Sequence, residues 1–378
     1  MRRGKAENRV ADLCDAMEKI APTWAAAEWD NVGLLVGDAK WAARRVLLTI
    51  DLTSAVLTEA KRTRCQAIVS YHPPIFRAIK RLLANATSQE GIAAQALSER
   101  IAIYSPHTAL DAATGGTNDS LAKLCDVIDA RPFHAASPPG ETFKLVVFIP
   151  RANVEAVAEA LYAAGAGRIG EYEKCSYRIE GLGTFLGGES TQPAVGRRGR
   201  LERVEEIRLE VVVPGGALHR VIASLYRAHP YEEPAFDVYP LKQSEKEPIG
   251  QGRMGNLKKP MSLGVLAKRL QRMTGAQCVQ IVGQRAAKIR RAFICAGAAG
   301  RLPLEAGEPC GKGDVVITGE IRHHDALQYE RFGAAAIALG HWASERPVLR
   351  PLERALKKSV PAIEFVISRA DCDPLRGV

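Results

Sequence analysis

The 378-residue chain contains no apolar run approaching the ~20 residues that a membrane-spanning helix requires. Its opening stretch, MRRGKAENRVADLCDAMEKIAP, lacks the apolar segment of a secretory signal. Val10, Leu13, Met17 and Ile20 instead recur at helical spacing with acids between them. That pattern predicts an amphipathic helix, and its acids argue against a mitochondrial transit peptide, so the chain reads as cytoplasmic. The eight cysteines (Cys14, Cys65, Cys125, Cys175, Cys278, Cys295, Cys310 and Cys372) include no C-x-x-C pair, which excludes the usual zinc frameworks and predicts reduced, mostly buried thiols. No P-loop is present to cradle a triphosphate. Aromatic residues make up 6% of the chain and none interleave with its densest basic cluster, GRRGRLER. Arg197, Arg198, Arg200 and Arg203 therefore read as a solvated loop, and nucleic acid is not an expected partner. The net charge of +10 favours a small anionic partner instead.

Between these absences lies a regular alternation. VLLTID is a buried strand by composition, SAVLTEAKRT a helix and QAIVSY the next strand. EGIAAQALSER and IAIYSPHT repeat the pair. A β-α-β-α-β order predicts a mostly parallel sheet covered by helices, with ligands beyond the carboxyl ends of its strands. The pattern changes near residue 143. KLVVFIP (strand), ANVEAVAEALYAAGA (helix), a hairpin-like middle, EEIRLEVVVP (strand), ALHRVIASLYRAHP (helix) and AFDVYPL (strand) predict a ferredoxin-like α+β module, closed by KQSEKEPIGQG. After residue 260 the first layout returns, with KIRRAFICAG, DVVITGEIRHHDA and AAAIALGHWASE as strands that break at polar residues. The expected architecture is α/β: residues 1–140 and 245–378 form two related halves of one domain, and residues 141–244 are inserted between them.

Five histidines fall at predicted strand ends or in the loops after them: His72, His107, His323, His324 and His341. Asp111 follows His107 by four residues, and Glu345 follows His341 by four. Imidazoles and carboxylates in this proportion suit Mn, Fe, Zn or Mg. One helical turn places His341 and Glu345 on one face. Ser344 is a candidate cap for the helix that follows, in which Pro351 predicts either a kink or a late start. Pro73 and Pro74 fix the corner in SYHPPIF and hold His72 extended, as a preorganised ligand requires. Gly115 and Gly116 are expected to let the backbone pass close to a bound ion or phosphate.

Taken in order, AEWDNVGLLVGD, SYHPPIF, HTALDAATGGTND, ITGEIRHHDA and GHWASERP resemble the Nif-three-like family, whose members are also called dinuclear metal centre hexameric proteins or GTP cyclohydrolase I type 2 homologues. GLGTFLGGES, VEEIRLEVVVP and AHPYEEPAFDVYPL resemble the insert of its longer members, similar in fold to PII and CutA. The resemblance implies a toroidal homohexamer with two divalent ions per subunit. Its ligand positions fall on Tyr71, His72, Asp111, His341 and Glu345. The first departs from the family pattern, because tyrosine stands where a histidine is expected. One full site and one weak or absent site are therefore anticipated, with Tyr71 either a phenolate ligand to Fe(III) or a proton donor to a metal-bound substrate. His107, His323 and His324 are candidate replacement ligands. The implied activity is metal-dependent hydrolysis of a nucleotide-like anion such as GTP, with Glu345 or His324 handling protons. A non-catalytic regulatory or chaperone-like ring, suggested by the insert, is the alternative.

Overall fold

The computed structural model describes residues 8–83, 88–136, 142–170, 172–241 and 249–376. The chain divides into two compact units, Met1–Pro138 with Glu247–Val378, and Pro139–Lys246.

The amino-terminal part of the first unit contains α1 (Val10–Ile20), β1 (Gly33–Val36), β2 (Arg45–Thr49), α2 (Ser54–Arg62), β3 (Ala67–Ser70), α3 (Gln89–Ser98) and β4 (Ala102–Ser105). Next come α4 (His107–Ala112), α5 (Thr117–Leu124), β5 (Val127–Arg131) and β6 (His134–Ala135). The second unit runs β7 (Thr142–Pro150), α6 (Val154–Ala163), β8 (Ser176–Leu186), β9 (Leu201–Pro214), α7 (Gly215–Ala228) and β10 (Phe236–Leu241). The first unit resumes with β11 (Gly250–Gln251), β12 (Arg253–Ser262), α8 (Leu263–Thr274), β13 (Gln280–Val282), β14 (Lys288–Ala298) and β15 (Asp314–Glu320). It ends with α9 (His323–Arg331), β16 (Ala335–Ala338), α10 (His341–Glu345), α11 (Leu349–Ser359) and β17 (Glu364–Ile367).

The first unit holds two mixed sheets, ordered β1-β4-β3-β2-β17 and β13-β16-β15-β14-β12-β5. In the first, β17, β2, β3 and β4 are parallel; in the second, β14, β15 and β16 are. Burial on both faces explains the apolar runs read as strands. Val46, Leu48 and Val69 pack with Leu13 and Met17 of α1 and Leu352 of α11. Leu47, Ile68 and Ile103 face the other way, onto Val56 of α2 and Ile92 of α3. Thr53 caps α2 by accepting from the Val56 amide at 3.2 Å.

The second unit has a four-stranded antiparallel sheet, ordered β10-β7-β9-β8. Leu209, Val211 and Val213 of β9 pack with Val157 and Leu161 of α6 and Val221 and Leu225 of α7. The basic loop carrying Arg197, Arg198 and Arg200 is exposed, as its composition predicts. Most of KQSEKEPIGQG lies outside the described residues. Among the described residues, no helix is long and apolar enough to cross a membrane.

Two local expectations differ. Ser344 does not cap a following helix: its hydroxyl donates to the His341 carbonyl and accepts from the Gly297 amide, both at 2.8 Å. Pro351 follows the late-start alternative: α11 starts at Leu349, which leaves the proline in the first turn without a kink. Gly116 also serves a purpose other than approach to an ion. A Cβ there would lie 1.8 Å from the Leu110 carbonyl oxygen, so the glycine lets the chain cross that carbonyl.

Candidate metal centre

The carboxyl ends of parallel strands from both sheets supply the site. Beyond β3 the chain turns at Tyr71-His72, and the corner is tied down by backbone groups. The Tyr71 amide donates to Thr49 O at 2.9 Å and the His72 amide to Ile50 O at 3.0 Å. The Ser105 hydroxyl donates to Tyr71 O, and the Ser70 hydroxyl to His72 O, both at 2.8 Å. Beyond β16, Gly340 adopts φ +90° and its amide donates to Gly319 O at 2.9 Å, which starts α10 at His341. One turn later Glu345 is 2% exposed.

His72, His341 and Glu345 converge, with one ligand atom from each lying within 4.8 Å of the others. His341 Nε2 is 3.1 Å from Glu345 Oε1, and His72 Nε2 is 3.3 Å from Glu345 Oε2. Each imidazole is fixed from behind by an acid. His72 Nδ1 meets Asp51 Oδ1 at 2.9 Å, and His341 Nδ1 meets Glu320 Oε1 at 3.1 Å. A carboxylate on one ring nitrogen sets the tautomer and aims the other nitrogen at a common point, which is how metal-ligating histidines are usually held. Sequence reading missed both Asp51 and Glu320, although each lies at the carboxyl end of a parallel strand.

Two observations test whether these residues fit an ion. Glu345 Oε2 is buried, makes no hydrogen bond among the described residues and faces His72 Nε2 at 3.3 Å, so it calls for a cation there: the imidazolium in the metal-free protein, or an ion that takes its place. Gly297, at φ +69°, backs the cluster, and a Cβ there would lie 2.5 Å from Glu345 Oε1 and 3.2 Å from His341 Nε2. The backbone is kept bare where the donors gather. The donor set of two imidazoles and a carboxylate suits a borderline divalent ion.

Charge is distributed to match. Burial would raise the Glu345 carboxyl, but the adjacent His341 and His72 imidazoles outweigh it and hold it below the ordinary range. Burial likewise opposes charging of His72, yet Asp51 and Glu345 push its imidazole up to about 10. The His341 imidazole is raised by its hydrogen bond to Glu345, against the pull of burial.

Tyr71 and Asp111 form a pair beside this cluster. The buried Tyr71 hydroxyl donates to Asp111 Oδ1 at 2.5 Å. Burial raises Asp111 to about 6, with the Glu345 charge adding to it and the Tyr71 hydrogen bond opposing it. Burial and the Asp111 charge push the Tyr71 phenol well above its ordinary range. In this arrangement Tyr71 is a proton donor to Asp111 rather than an open phenolate. His107 is a close neighbour, its ring centroid 5.5 Å from Tyr71 and 5.4 Å from His72. Its Nδ1 is held at 2.8 Å by Asp30, which also accepts from the Thr108 amide. Asp30 escaped the sequence reading as well, despite lying in AEWDNVGLLVGD. His323 and His324 open α9, are exposed and face each other at 5.5 Å. Neither belongs to the cluster, so the proton-handling role expected of His324 has no geometric support.

Comparison with known proteins agrees across the chain. The family model described as Duf34/NIF3 (NGG1p interacting factor 3) matches residues 8–374. A Halalkalibacterium halodurans protein named GTP cyclohydrolase 1 type 2 homolog is 34% identical over 361 residues, covering 94% of this chain and 95% of its own. Its Bacillus subtilis namesake is 32% identical over 366 residues, covering 96% of each. The crystal structure of a Bacillus cereus protein related to NIF3 superposes with a TM-score of 0.77 at 31% identity, over 99% of this chain and all of the other.

Proposed function

We propose, for a chain that belongs to the Duf34/NIF3 family, that His72, His341 and Glu345 hold one divalent ion and that the protein is a metal-dependent hydrolase of a nucleotide-like anion. The observation that carries the proposal is the convergence of a buried, ionised Glu345 with two imidazoles whose outer nitrogens are fixed by Asp51 and Glu320. When bound, the ion would lower the pKa of a water and polarise a substrate oxygen.

The protein's own residues supply the rest. Asp51 and Glu320 orient the imidazoles. Glu345, kept ionised, compensates positive charge at the centre. The Tyr71–Asp111 pair holds a proton at the Asp111 Oδ1 end of the phenol, next to the cluster. With Asp111 pushed up to about 6, that carboxylate can take a proton from a nucleophile near neutral pH and return it to a leaving group. Asp111 and Tyr71 also mark the second metal position, which is weak because the tyrosine hydroxyl is engaged where the family pattern has an imidazole.

Residues 141–244 are read as an inserted ferredoxin-like domain of the PII and CutA type. Support comes from the β-α-β-β-α-β order and the strand order β10-β7-β9-β8. The assembled form is read as a homohexamer, which predicts a solution mass six times the 40.9 kDa of one chain by light scattering.

Elemental analysis tests the centre. The parent is expected to carry about one divalent ion per chain. Tyr71→His should raise that toward two, and Glu345→Gln should abolish it. A parent that stays metal-free after dialysis against Zn, Mn and Fe(II) refutes the centre. Formate release from GTP by the loaded enzyme is the matching activity assay; binding without turnover across a nucleotide panel would favour the regulatory ring.

A further inference from the structure

The sheet of the second unit has a second face, opposite the helices. Side chains alternate along β9, so Glu206 and Arg208 stand on that face while Ile207 and Leu209 pack toward α6 and α7. A cavity of about 570 Å³ opens there.

Its floor is glycine. Gly181 and Gly183 of β8 pair with Glu206 and Val204 of β9, and a Cβ built on Gly181 meets no atom within 4 Å. Its walls include Phe148, Phe185 and Tyr231, the last two with ring centroids 6.3 Å apart. Glu206 stands half-buried among them. The Tyr231 hydroxyl donates to Glu206 Oε1 at 2.9 Å, and Glu206 Oε2 has neither hydrogen bond nor ion pair among the described residues. Gly183 makes room for that free oxygen, since a Cβ there would lie 2.1 Å from it.

Charge narrows the occupant further. Arg208, the nearby cation, has its Nε engaged by Glu210 Oε1 at 3.0 Å. Glu232 and Glu233, both exposed, add negative charge to the lining. A phosphate would meet repulsion from Glu206, Glu232 and Glu233, and the charge of Arg208 is already paired with Glu210. A flat ring would find a flat floor, aromatic walls and a carboxylate able to accept two parallel N–H donors.

We propose that this cavity is a second ligand site, for a planar heteroaromatic ring that offers two adjacent N–H donors to Glu206 and carries no phosphate: the 2-amino-oxo edge of a guanine-type base or nucleoside. The proposal is independent of the metal centre, because every residue it uses lies in the second unit.

Calorimetric titration of the full chain with guanosine tests it. The parent should bind one guanosine per chain. Inosine, which lacks the 2-amino donor, should bind about tenfold more weakly or worse, and GMP no more tightly than guanosine. Gly181→Val puts a strand-favouring side chain into open space above the floor; it should melt with the parent and lose binding. Glu206→Gln should weaken binding by about tenfold or more, and gives the same reading should the valine disturb β8. His341→Ala should leave guanosine binding unchanged. The proposal is overturned if millimolar guanosine produces no binding, if inosine binds equally well, if Glu206→Gln binds as the parent does, or if His341→Ala abolishes binding.

Discussion

His72 carries a proton in the metal-free protein because acids press on it from both sides. Asp51 holds Nδ1 and Glu345 faces Nε2. Its pKa of about 10 lies above the ~6.5 of an unfolded chain, so the folded state binds the proton more tightly. The resulting stability is complete below about pH 6.5 and is lost as pH rises through about 10. Metal-free protein should therefore show a Tm that falls across that alkaline window, while the metal-loaded form, with its imidazoles already neutral, should be flatter. Loading at pH 7 should release at least one proton per ion, from His72, read with a pH indicator in weak buffer. Metal uptake without proton release would mean that the imidazole was neutral beforehand. Gly297 provides a steric test of the same cluster. Gly297→Ala forces a methyl group to within 2.5 Å of Glu345 Oε1 and places a non-glycine residue at φ +69°. A loss of about 1–3 kcal/mol by denaturant titration is expected, together with reduced metal content.

At the scale of elements, α4 presents Asp111 to the site and is pinned at both ends. At its start, Asp30 grips His107, which is held at φ +25°. At its end, buried Arg253 donates to the Ala112 and Ala113 carbonyls at 3.1 and 2.9 Å, and grips Asp119 of α5 through Nε at 2.6 Å. The guanidinium thus satisfies carbonyls that the end of the helix leaves open. Arg253→Ala would leave Asp119 facing that interior without its cation, at a cost of about 3–5 kcal/mol in denaturant unfolding. It should also lower metal retention in a Tyr71→His background, where Asp111 has a second ion to hold. None of this was legible beforehand, because an arginine reads as a surface residue until its partners are seen. The same limit explains the missed β12. RMGNLKKPMS mixes lysines with a proline, yet it pairs with both β14 and β5 through irregular registers that permit such residues. By contrast β2, β3, β4, β14, β15 and β16 were legible, since burial on both faces leaves continuous apolar runs. The His341–Glu345 turn was legible for the equally local reason that i and i+4 share a helix face.

Across the whole molecule, the interruption of one α/β layout by a different one was visible as a change of period near residue 143 and a return after residue 260. The parallel runs β4-β3-β2 and β16-β15-β14 echo one another in the two halves. What no local pattern carries is how the strand ends of two separate sheets face each other, and that juxtaposition is what brings His72, backed by Asp51 from its own sheet, against His341 and Glu345, backed by Glu320 from the other. The two units also have separate cores. Leu145, Val147, Leu161, Leu209 and Val221 belong to a cluster drawn wholly from the second unit. The clusters around β2–β4 and β14–β16 draw wholly on the first. A ligand that binds only one native unit stabilises that unit alone, by about 2.7 kcal/mol when present at a hundredfold excess over its Kd. Calorimetric melting of the full chain should therefore resolve a transition for each unit, and a chelator should lower only the one belonging to the first. Guanosine should raise only the other. If chelation moved both transitions equally, the ion would be coupled to the second unit and the separation of cores would not describe how the chain unfolds.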